Sequence, residues 1–329
     1  KKGKGYAPAE TSPVSSHSLT KLEKQGENKA TTYAAVFGAW ITRKAITDKR
    51  LFAITPAMKE GSGLTAFSEQ FPDRFHDVAI AEQHAVTLAA GLATGGAKPV
   101  VATYSTFLQR AFEQLIHDVA IQNLDVLFAV DRASLLEDGP THSGIFDYSF
   151  VRAIPNMVIM SPSNSVVMEQ MLDFGFAYKG PCVVRYPRGT ATSGKQEPPV
   201  ALGKALICRE GKRAAILAFG TTRNISESVA NKLDLTLIDM RFVKPLDTGL
   251  ITHLAASHEL LVTIEENAIA GGAGSAVNEY VVSQGLDCQL LNLGVPDVFI
   301  DQDEPANMRQ VVGLTAANIA SQINSRLYF

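Results

Sequence analysis

Short apolar runs alternate with helical segments along most of this sequence, and that alternation limits what the chain can fold into. Runs of four to six residues that are rich in Val, Ile, Leu and Ala are typical of buried strands. In the first part of the chain the runs are Leu51–Ile54, Asp77–Ile80, Pro99–Thr103, Val126–Asp131, Met157–Met160 and Cys182–Tyr186. In the second part they are Ala214–Phe219, Leu235–Met240, Leu260–Glu265 and Gln289–Leu293. Apolar strands separated by helices form parallel sheets with both faces covered, so the sequence predicts an α/β fold with open, mainly parallel sheets.

The segments between these runs carry apolar residues at helical spacing. They predict helices at about 31–47, 83–94, 105–122 and 163–178, and then at 223–233, 247–257, 274–284 and 315–326. The segment Thr190–Val200 (TATSGKQEPPV) breaks this pattern with Ser, Gly and Pro, as linkers between domains do. Residues 1–29 are polar and have no period. We therefore predict an arm or linker at 1–29, an α/β domain at 30–192 and a smaller α/β domain at 200–329.

Composition argues against several classes of protein. The 30 Lys and Arg nearly balance the 33 Asp and Glu, and no basic block suggests a nucleic-acid partner. No apolar run reaches the roughly 18 residues of a membrane span. The cysteines, Cys182, Cys208 and Cys288, are three in number and far apart, which favours reduced thiols in a cytoplasmic protein. No group of His, Cys and Asp has the spacing of metal ligands.

Glu82 is the first candidate for chemistry, because it lies where a predicted strand meets a predicted helix. The next strand ends in an aromatic pair, Tyr104 and Phe107, with Arg110 one helical turn further on. In open α/β sheets, ligands bind beyond the carboxyl ends of the parallel strands. Glu82 equally suits the first turn of a helix, where it opposes the macrodipole, and Phe107 equally suits a helix core. Position alone favours these structural explanations.

Charged residues follow other strands at the same edge of the predicted sheet. Arg132 follows the run ending at Asp131, Asp138 and His142 lie in the turn EDGPTHSG, and Arg188 closes VVRYPRG. Two arginines at the carboxyl ends of separate strands can converge on one phosphate, which matches the guanidinium fork. Taken singly, each is more often a surface or turn residue.

A glycine-rich stretch in the second half, ENAIAGGAGSAV at 266–277, partly matches a phosphate-binding loop. It lacks the GxGxxG spacing, so we expect a tight turn with close helix–strand packing.

Taken together, several motifs resemble those of the 1-deoxy-D-xylulose-5-phosphate synthases, thiamine-diphosphate-dependent transferases of the transketolase family. The motifs are KGKGYAPAE, ITPAMKEGSG, DVAIAEQHAVTLAAGLA, YSTFLQRAFEQLIHDVA, DGPTHSGIFD, RYPRG, DMRFVKPLD and EENAIAGGAGS. They cover nearly the whole chain in order. The resemblance implies that 30–192 is the pyrimidine-binding, or transketolase central, domain and that 200–329 is the transketolase C-terminal domain.

The resemblance also implies roles for residues around the cofactor. Glu82 would hydrogen-bond the aminopyrimidine ring nitrogen of thiamine and so promote its imino tautomer. Phe107 would stack on that ring, with Arg110 beside it. On the arm, Tyr6 matches a cofactor-contacting tyrosine and His17 matches an active-site histidine.

A second group matches the residues that receive the acceptor substrate in this family. Arg132 and Arg188 would lie nearest the acceptor's phosphate. The other members of the group are Tyr104, Asp138 and His142.

The reaction implied by the resemblance is the condensation of pyruvate with D-glyceraldehyde 3-phosphate. It gives 1-deoxy-D-xylulose 5-phosphate and CO2, the first step of non-mevalonate isoprenoid biosynthesis, and also feeds thiamine and pyridoxal synthesis. The family holds the diphosphate and Mg2+ in a separate amino-terminal domain through a GDG motif. The Asp138–Gly139 pair of this sequence lies in a turn segment instead. We therefore expect a homodimeric enzyme of which this chain is one part, inactive by itself.

Two other interpretations remain open at this stage. The beta subunit of a two-oxoacid dehydrogenase has the same two-domain organisation, although it needs no sugar-phosphate pocket and so leaves Arg132 and Arg188 without a purpose. The chain could instead be a non-catalytic half that serves in binding or dimerisation. The presence of Glu82 and His142 argues against that interpretation.

Overall fold

The computed structural model describes residues 3–11 and 31–327, which belong to two separate compact units. In the first unit the helix Ala7–Thr11 begins directly after Tyr6, whose side chain is half exposed. The Glu10 carboxylate accepts a hydrogen bond from the Gly5 N–H at 3.1 Å, which closes this short turn on itself.

Residues 31–327 form two open sheets. The strands, in chain order, are β1 Leu51–Thr55, β2 Phe75–Asp77, β3 Lys98–Tyr104, β4 Leu127–Asp131, β5 Val158–Met160, β6 Cys182–Arg185, β7 Leu206–Arg209, β8 Ala214–Ala218, β9 Thr236–Asp239, β10 Phe242–Lys244, β11 Leu260–Ala268 and β12 Gln289–Val295. The first sheet has the order β10-β5-β6-β4-β3-β1-β2, and the second has the order β12-β11-β8-β9-β7. Neighbouring strands are parallel except at two edges, β10 with β5 and β7 with β9. The predicted class, α/β with two open and mainly parallel sheets, is confirmed.

Helices cover the faces of both sheets. They are Tyr33–Thr47, Thr65–Gln70, Glu82–Thr94, Asp147–Arg152, Ser165–Ala177, Thr222–Leu233, Thr248–Ser257, Ala273–Ser283, Pro305–Val311 and Ala316–Leu327. The helix predicted at 105–122 is an irregular helical segment, with a 3-10 turn at Gln109–Ala111 and a π-helical turn at Leu115–Ala120. Among these helices, none is long and apolar enough to span a lipid bilayer.

The prediction of a buried strand at Asp77–Ile80 was wrong. The strand is β2, it ends at Asp77, and it lies at the sheet edge with partly exposed side chains. Asp77 Oδ1 accepts hydrogen bonds from the backbone N–H groups of Ala57 at 2.9 Å and Ala79 at 3.0 Å, which turns the chain out of the sheet. Ile80 is consequently 74% exposed, although its apolar neighbours made it look like part of a core strand.

The two sheets share one hydrophobic cluster. It contains Val130 and Ile159 from the first sheet together with Leu217 and Ile238 from the second. In addition, β10 leaves the second half of the chain and pairs with β5, so that the first sheet contains a strand contributed by the second half. The strand–helix units of both halves therefore pack as one body.

A buried ionic network joins the two halves through Glu197, which lies in the segment between them. Glu197 accepts hydrogen bonds from Arg223 at 2.6 Å and from Arg241 at 3.0 Å. Arg223 also contacts Asp239 at 3.1 Å, and Asp239 accepts a hydrogen bond from Ser163 of the first half at 2.7 Å. Two arginines thus balance two carboxylates, as buried charges require. We refer to Ser163, Glu197, Arg223, Asp239 and Arg241 as the junction network.

Candidate active site

A pocket of about 190 Å³ lies at the carboxyl edge of the first sheet, where β4 and β6 end. Its lining includes Arg132 and Arg188, together with Asp131, Gly61 and the backbone around Gly189. Because β4 and β6 are neighbours in the sheet, the residues that follow them reach the same cavity. Arg132 and Arg188, both selected from the sequence, therefore line the same pocket.

Three neighbouring groups hold the side chain of Arg132: the ring of Tyr104, the carboxylate of Asp131 and the carbonyl of Gly61. Its backbone is in the left-handed region, with a φ of +58°, directly after β4. Its guanidinium lies 3.6 Å from the centre of the Tyr104 ring, and its Nη1 donates to Asp131 Oδ2 at 2.9 Å. The carbonyl of Gly61 accepts a further, longer hydrogen bond at 3.4 Å. The cation is thus oriented in advance by a ring and a carboxylate.

Gly61 makes this arrangement possible. A Cβ atom at that position would lie 1.9 Å from the hydroxyl oxygen of Tyr104 and 3.3 Å from Nη2 of Arg132. Any larger residue would displace both side chains. Sequence reasoning did not select Gly61, although it lies in the motif ITPAMKEGSG, because its constraint arises from residues far along the chain.

Asp131 is the second site residue that sequence reasoning missed. It ends the buried strand β4 and is 1% exposed. Burial raises the pKa of its carboxyl to about 6, although the charge of Arg132 opposes that rise by favouring the ionised form. An acidic residue at the end of a fully apolar strand was the signal that could have identified it.

We expect NMR titration of carboxyl-labelled protein to give Asp131 a pKa of about 6. Because this value lies above the ordinary 3.8, the folded state holds the proton more tightly than the unfolded state. The contribution of Asp131 to stability is therefore full below about pH 4 and is lost as the pH rises to about 6. Arg132→Gln should raise the pKa further, and a pKa that falls or stays in place in that variant would contradict this account.

Glu82 and Arg110, the other charged residues selected from the sequence, form an ion pair. Glu82 is the first residue of the helix Glu82–Thr94 and is 2% exposed. Nη1 of Arg110 lies 2.5 Å from Oε2 of Glu82, and Arg110 itself is 44% exposed. The buried carboxylate thus has one cationic partner, which reaches it from the irregular helical segment that follows β3.

Aromatic rings connect the two parts of the site. Phe107 lies 5.9 Å from Tyr104 and 5.4 Å from His142, which meets it edge-on. The Nδ1 atom of His142 lies 2.9 Å from the Thr141 hydroxyl. Phe107 precedes Arg110 by three residues in the irregular helical segment that follows β3, so one segment carries residues of both parts of the site.

Arg188 is paired with acidic residues of the turn that follows β4. Its Nη1 lies 2.8 Å from Glu137 and 3.2 Å from Asp138. Asp138 was selected from the sequence, whereas Glu137 was not. All three side chains are partly exposed, so this cluster is accessible to a ligand and is held less rigidly than Arg132.

Two further predicted residues fall outside the unit that carries these side chains. Tyr6 belongs to the separate unit that contains residues 3–11. His17 lies outside the residues that the structure describes. Within residues 3–11 and 31–327, no group of three or more His, Cys, Asp or Glu side chains is arranged to hold a metal ion.

The glycine-rich stretch at 266–277 already has an internal anion. Both carboxylate oxygens of Glu265 accept backbone hydrogen bonds at the start of the helix Ala273–Ser283, from Ala273 at 2.7 Å and Gly274 at 2.8 Å. Burial raises the pKa of Glu265 to about 7, against the lowering effect of these two bonds. A Cβ on Gly272 would lie 2.4 Å from the same carboxylate. The stretch is therefore a tight turn closed by its own strand.

The fold and the site together define the class of protein. Residues 29–193 match the family described as "Transketolase, pyrimidine binding domain", and residues 203–319 match "Transketolase, C-terminal domain". The chain belongs to the transketolase family, a family of thiamine-diphosphate enzymes.

Within that family, the similarity is to 1-deoxy-D-xylulose-5-phosphate synthase, as the sequence motifs predicted. The chain is 55% identical to the protein of that name from Pseudomonas aeruginosa over 335 residues, and 54% identical to that of Pseudomonas putida over 338 residues. Each alignment covers 99% of this chain and 53% of the relative. The chain thus spans about half the length of the curated relatives that it matches.

Solved structures give the same fold. A chain described as "Split gene transketolase, inactive beta4 tetramer" superposes with a TM-score of 0.82 at 25% identity, covering 91% of this chain and 99% of its own length. The transketolase of Campylobacter jejuni superposes with a TM-score of 0.74 at 16% identity, covering 99% of this chain but 51% of its own. The second match supports the fold alone.

Proposed function

We propose that this chain forms the pyrimidine-binding and acceptor-binding side of a 1-deoxy-D-xylulose-5-phosphate synthase. The reaction condenses pyruvate with D-glyceraldehyde 3-phosphate to 1-deoxy-D-xylulose 5-phosphate and CO2, which opens non-mevalonate isoprenoid biosynthesis. The observation that carries the proposal is the pocket shared by Arg132 and Arg188, at the same edge of the sheet as the aromatic pair Tyr104 and Phe107. A two-oxoacid dehydrogenase beta subunit needs no such sugar-phosphate pocket, and that alternative is not favoured.

The residues present fit the pyrimidine ring of thiamine diphosphate. When bound, this cofactor supplies the electron-accepting centre for decarboxylation and carbon–carbon bond formation. Glu82, held by Arg110, offers a buried carboxylate that accepts a hydrogen bond from a protonated ring nitrogen. Phe107 offers a ring for stacking. Tyr6 and His17 would complete the cofactor site from the amino-terminal arm.

The acceptor's phosphate is proposed to lie between Arg132 and Arg188. Asp131 and Tyr104 orient Arg132, while Asp138 and its neighbour Glu137 orient Arg188. His142, which meets the Phe107 ring, would hold or transfer a proton at the acceptor's carbonyl oxygen.

We expect Arg132→Gln to raise KM for D-glyceraldehyde 3-phosphate by about 10- to 100-fold, since a hydrogen bond to a charged group contributes about 1.5–3 kcal/mol. The KM for pyruvate should change far less. Steady-state assays with each substrate varied in turn measure both values. Arg43→Gln, which removes an exposed arginine paired with Glu169, is the control. Equal rises of both KM values would contradict the assignment.

We propose a domain organisation of an arm at 1–29, a pyrimidine-binding domain at 30–192 and a transketolase C-terminal domain at 200–329. Mg2+ and the diphosphate are proposed to be held by an amino-terminal diphosphate-binding domain outside these residues, because the chain spans half of its relatives. We further propose a homodimer that acts in the cytoplasm. The three free cysteines are in keeping with a reducing compartment.

The structural neighbour described as an inactive tetramer supports one further part of this proposal, that the chain is inactive alone. We use the term assembled enzyme for this chain together with its diphosphate-binding half. The test is product formation from both substrates with thiamine diphosphate and Mg2+, for the chain alone and for the assembled enzyme. Turnover by the chain alone would refute inactivity, and no turnover by the assembled enzyme would refute the proposed reaction.

A further inference from the structure

Arg132 is an extra residue in the ladder between β4 and β6, and Tyr186 lies on both sides of it. Tyr186, the residue after β6, donates its N–H to the carbonyl of Val130 at 3.0 Å and accepts a bond from the N–H of Ala133, also at 3.0 Å. In an evenly spaced parallel ladder the N–H of Arg132 would make the second of these bonds. That N–H instead donates to Oδ1 of Asp131 at 2.6 Å. Arg132 is therefore part of a β-bulge, a feature that redirects side chains next to active sites.

Three side chains form a row across the sheet at this bulge. Tyr104 pairs with Asp131 in the register of β3 and β4. In the register of β4 and β6, Val130 pairs with Arg185. The next residues along, Asp131 and Tyr186, are therefore opposite each other as well. Residues in register on neighbouring strands project from the same face, about 4.8 Å apart, so a buried carboxyl group lies between two phenols.

The two phenols differ in their hydrogen-bond partners. The hydroxyl of Tyr104 has Arg132 as a partner. Tyr186 is 0% exposed and packs 6.2 Å from Phe37 of the helix Tyr33–Thr47, and its hydroxyl has no hydrogen-bond partner among residues 3–11 and 31–327. Burial of a hydroxyl without a partner is costly, so the position of this group calls for an explanation.

The carboxyl group opposite this hydroxyl has unused capacity to accept hydrogen bonds. In the part of the chain that the structure describes, Asp131 accepts bonds from the N–H and Nη1 of Arg132, whereas a carboxylate offers about four acceptor positions. Burial raises the pKa of Tyr186 well above its usual range, and the charge of Asp131 raises it further. The phenol therefore keeps its proton and remains a donor next to the carboxylate.

We propose that Tyr186 is a positioning residue: its hydroxyl donates to the ionised carboxylate of Asp131, directly or through one bridging water, and this carboxylate holds Arg132 toward the shared pocket. Burial raises the pKa of Asp131, and the charges of Arg132 and Arg188 oppose that rise. Tyr104 and Tyr186 flank the same group as neutral phenols. Tyr186 thus stabilises the ionised carboxylate without adding charge to the pocket. Its effect on the acceptor rests on the proposed function.

NMR titration of the full chain with carboxyl-labelled aspartate tests the contact between Tyr186 and Asp131. Tyr186→Phe removes only the hydroxyl, so we expect it to raise the pKa of Asp131 by about half a unit to one unit, as the loss of a neutral hydrogen bond would. Tyr148→Phe is the matched control, because Tyr148 is also 0% exposed but has Arg185 and Asp147 as its charged neighbours. An unchanged pKa in Tyr186→Phe, or an equal rise in Tyr148→Phe, would overturn the proposal.

The pH dependence of KM for D-glyceraldehyde 3-phosphate in the assembled enzyme tests the positioning role. Dividing KM of Tyr186→Phe by that of the wild type at each pH cancels the titration of the substrate's own phosphate. Because the pKa of Asp131 is about 6 in the wild type and higher in the variant, this ratio should change between about pH 6 and 7 and level off by about pH 8. The corresponding ratio for pyruvate should not depend on pH.

The two measurements separate this inference from the proposed reaction. An acceptor ratio that is constant with pH in an active enzyme would assign Tyr186 a merely structural role and refute the positioning role, while leaving the reaction in place. The NMR titration requires no turnover, so it decides the contact between Tyr186 and Asp131 even if the assembled enzyme does not catalyse the proposed reaction.

Discussion

We expect Glu82→Gln to lower kcat of the assembled enzyme by about 10²–10⁴-fold, the range for loss of a positioned acid–base group. The substitution keeps the size of the side chain but removes its negative charge. In the proposed role the ring nitrogen of the cofactor then loses its charged acceptor, and Arg110 loses the negative charge of the partner that lies 2.5 Å away. Steady-state kinetics at saturating substrates and cofactor measure the effect.

The control for this prediction is Glu169→Gln. Glu169 is also paired with an arginine, Arg43 of the helix Tyr33–Thr47, at 2.9 Å, but both side chains are about half exposed. We expect its activity to equal that of the wild type. A Glu82→Gln enzyme that retained activity within threefold of the wild type would exclude Glu82 from the proposed role.

We expect Glu197→Ala to lower the free energy of unfolding by about 3–5 kcal/mol, as does removal of one partner from other buried ion pairs. Arg241 is 3% exposed and would keep only the carbonyl of Pro198 as its acceptor. Arg223 would keep Asp239 but would lose its shorter contact, at 2.6 Å. The junction network would then hold an uncompensated positive charge.

Urea denaturation of the two proteins, analysed by linear extrapolation, measures this change. Glu227→Ala, at an exposed position on the helix Thr222–Leu233, is the matched control and should change stability by no more than about 0.5 kcal/mol. A loss below about 1 kcal/mol in Glu197→Ala would show that the network does not hold the halves together.

Sequence periodicity predicted the central strands because their burial is complete. Every residue of β4 is buried, and six of the seven residues of β3 are, so their apolar runs stand out. Short elements gave no comparable signal. The three residues of β10 form a strand only because β5 lies alongside, and β2 was misplaced because Val78 and Ile80 are apolar without being buried as a strand.

The site was predictable to the extent that it depends on strand ends. Arg132 and Arg188 follow strands that proved to be neighbours, so their shared pocket follows from a parallel sheet. Gly61 and Asp131 were not selected, because their importance depends on contacts with Tyr104 and Arg132 that no local pattern encodes. The acidic partner Glu137 was missed for the same reason.

The pairing of β10, from the second half, with β5, from the first, limits how this chain can be divided or recombined. Loss of the second half would remove the edge strand of the first sheet and leave the backbone of β5 unpaired on that side. The first sheet is therefore complete only when both halves of the chain are present. Chimeras made by joining this chain to parts of its relatives keep β5 and β10 from one parent only if no crossover falls between residues 158 and 244.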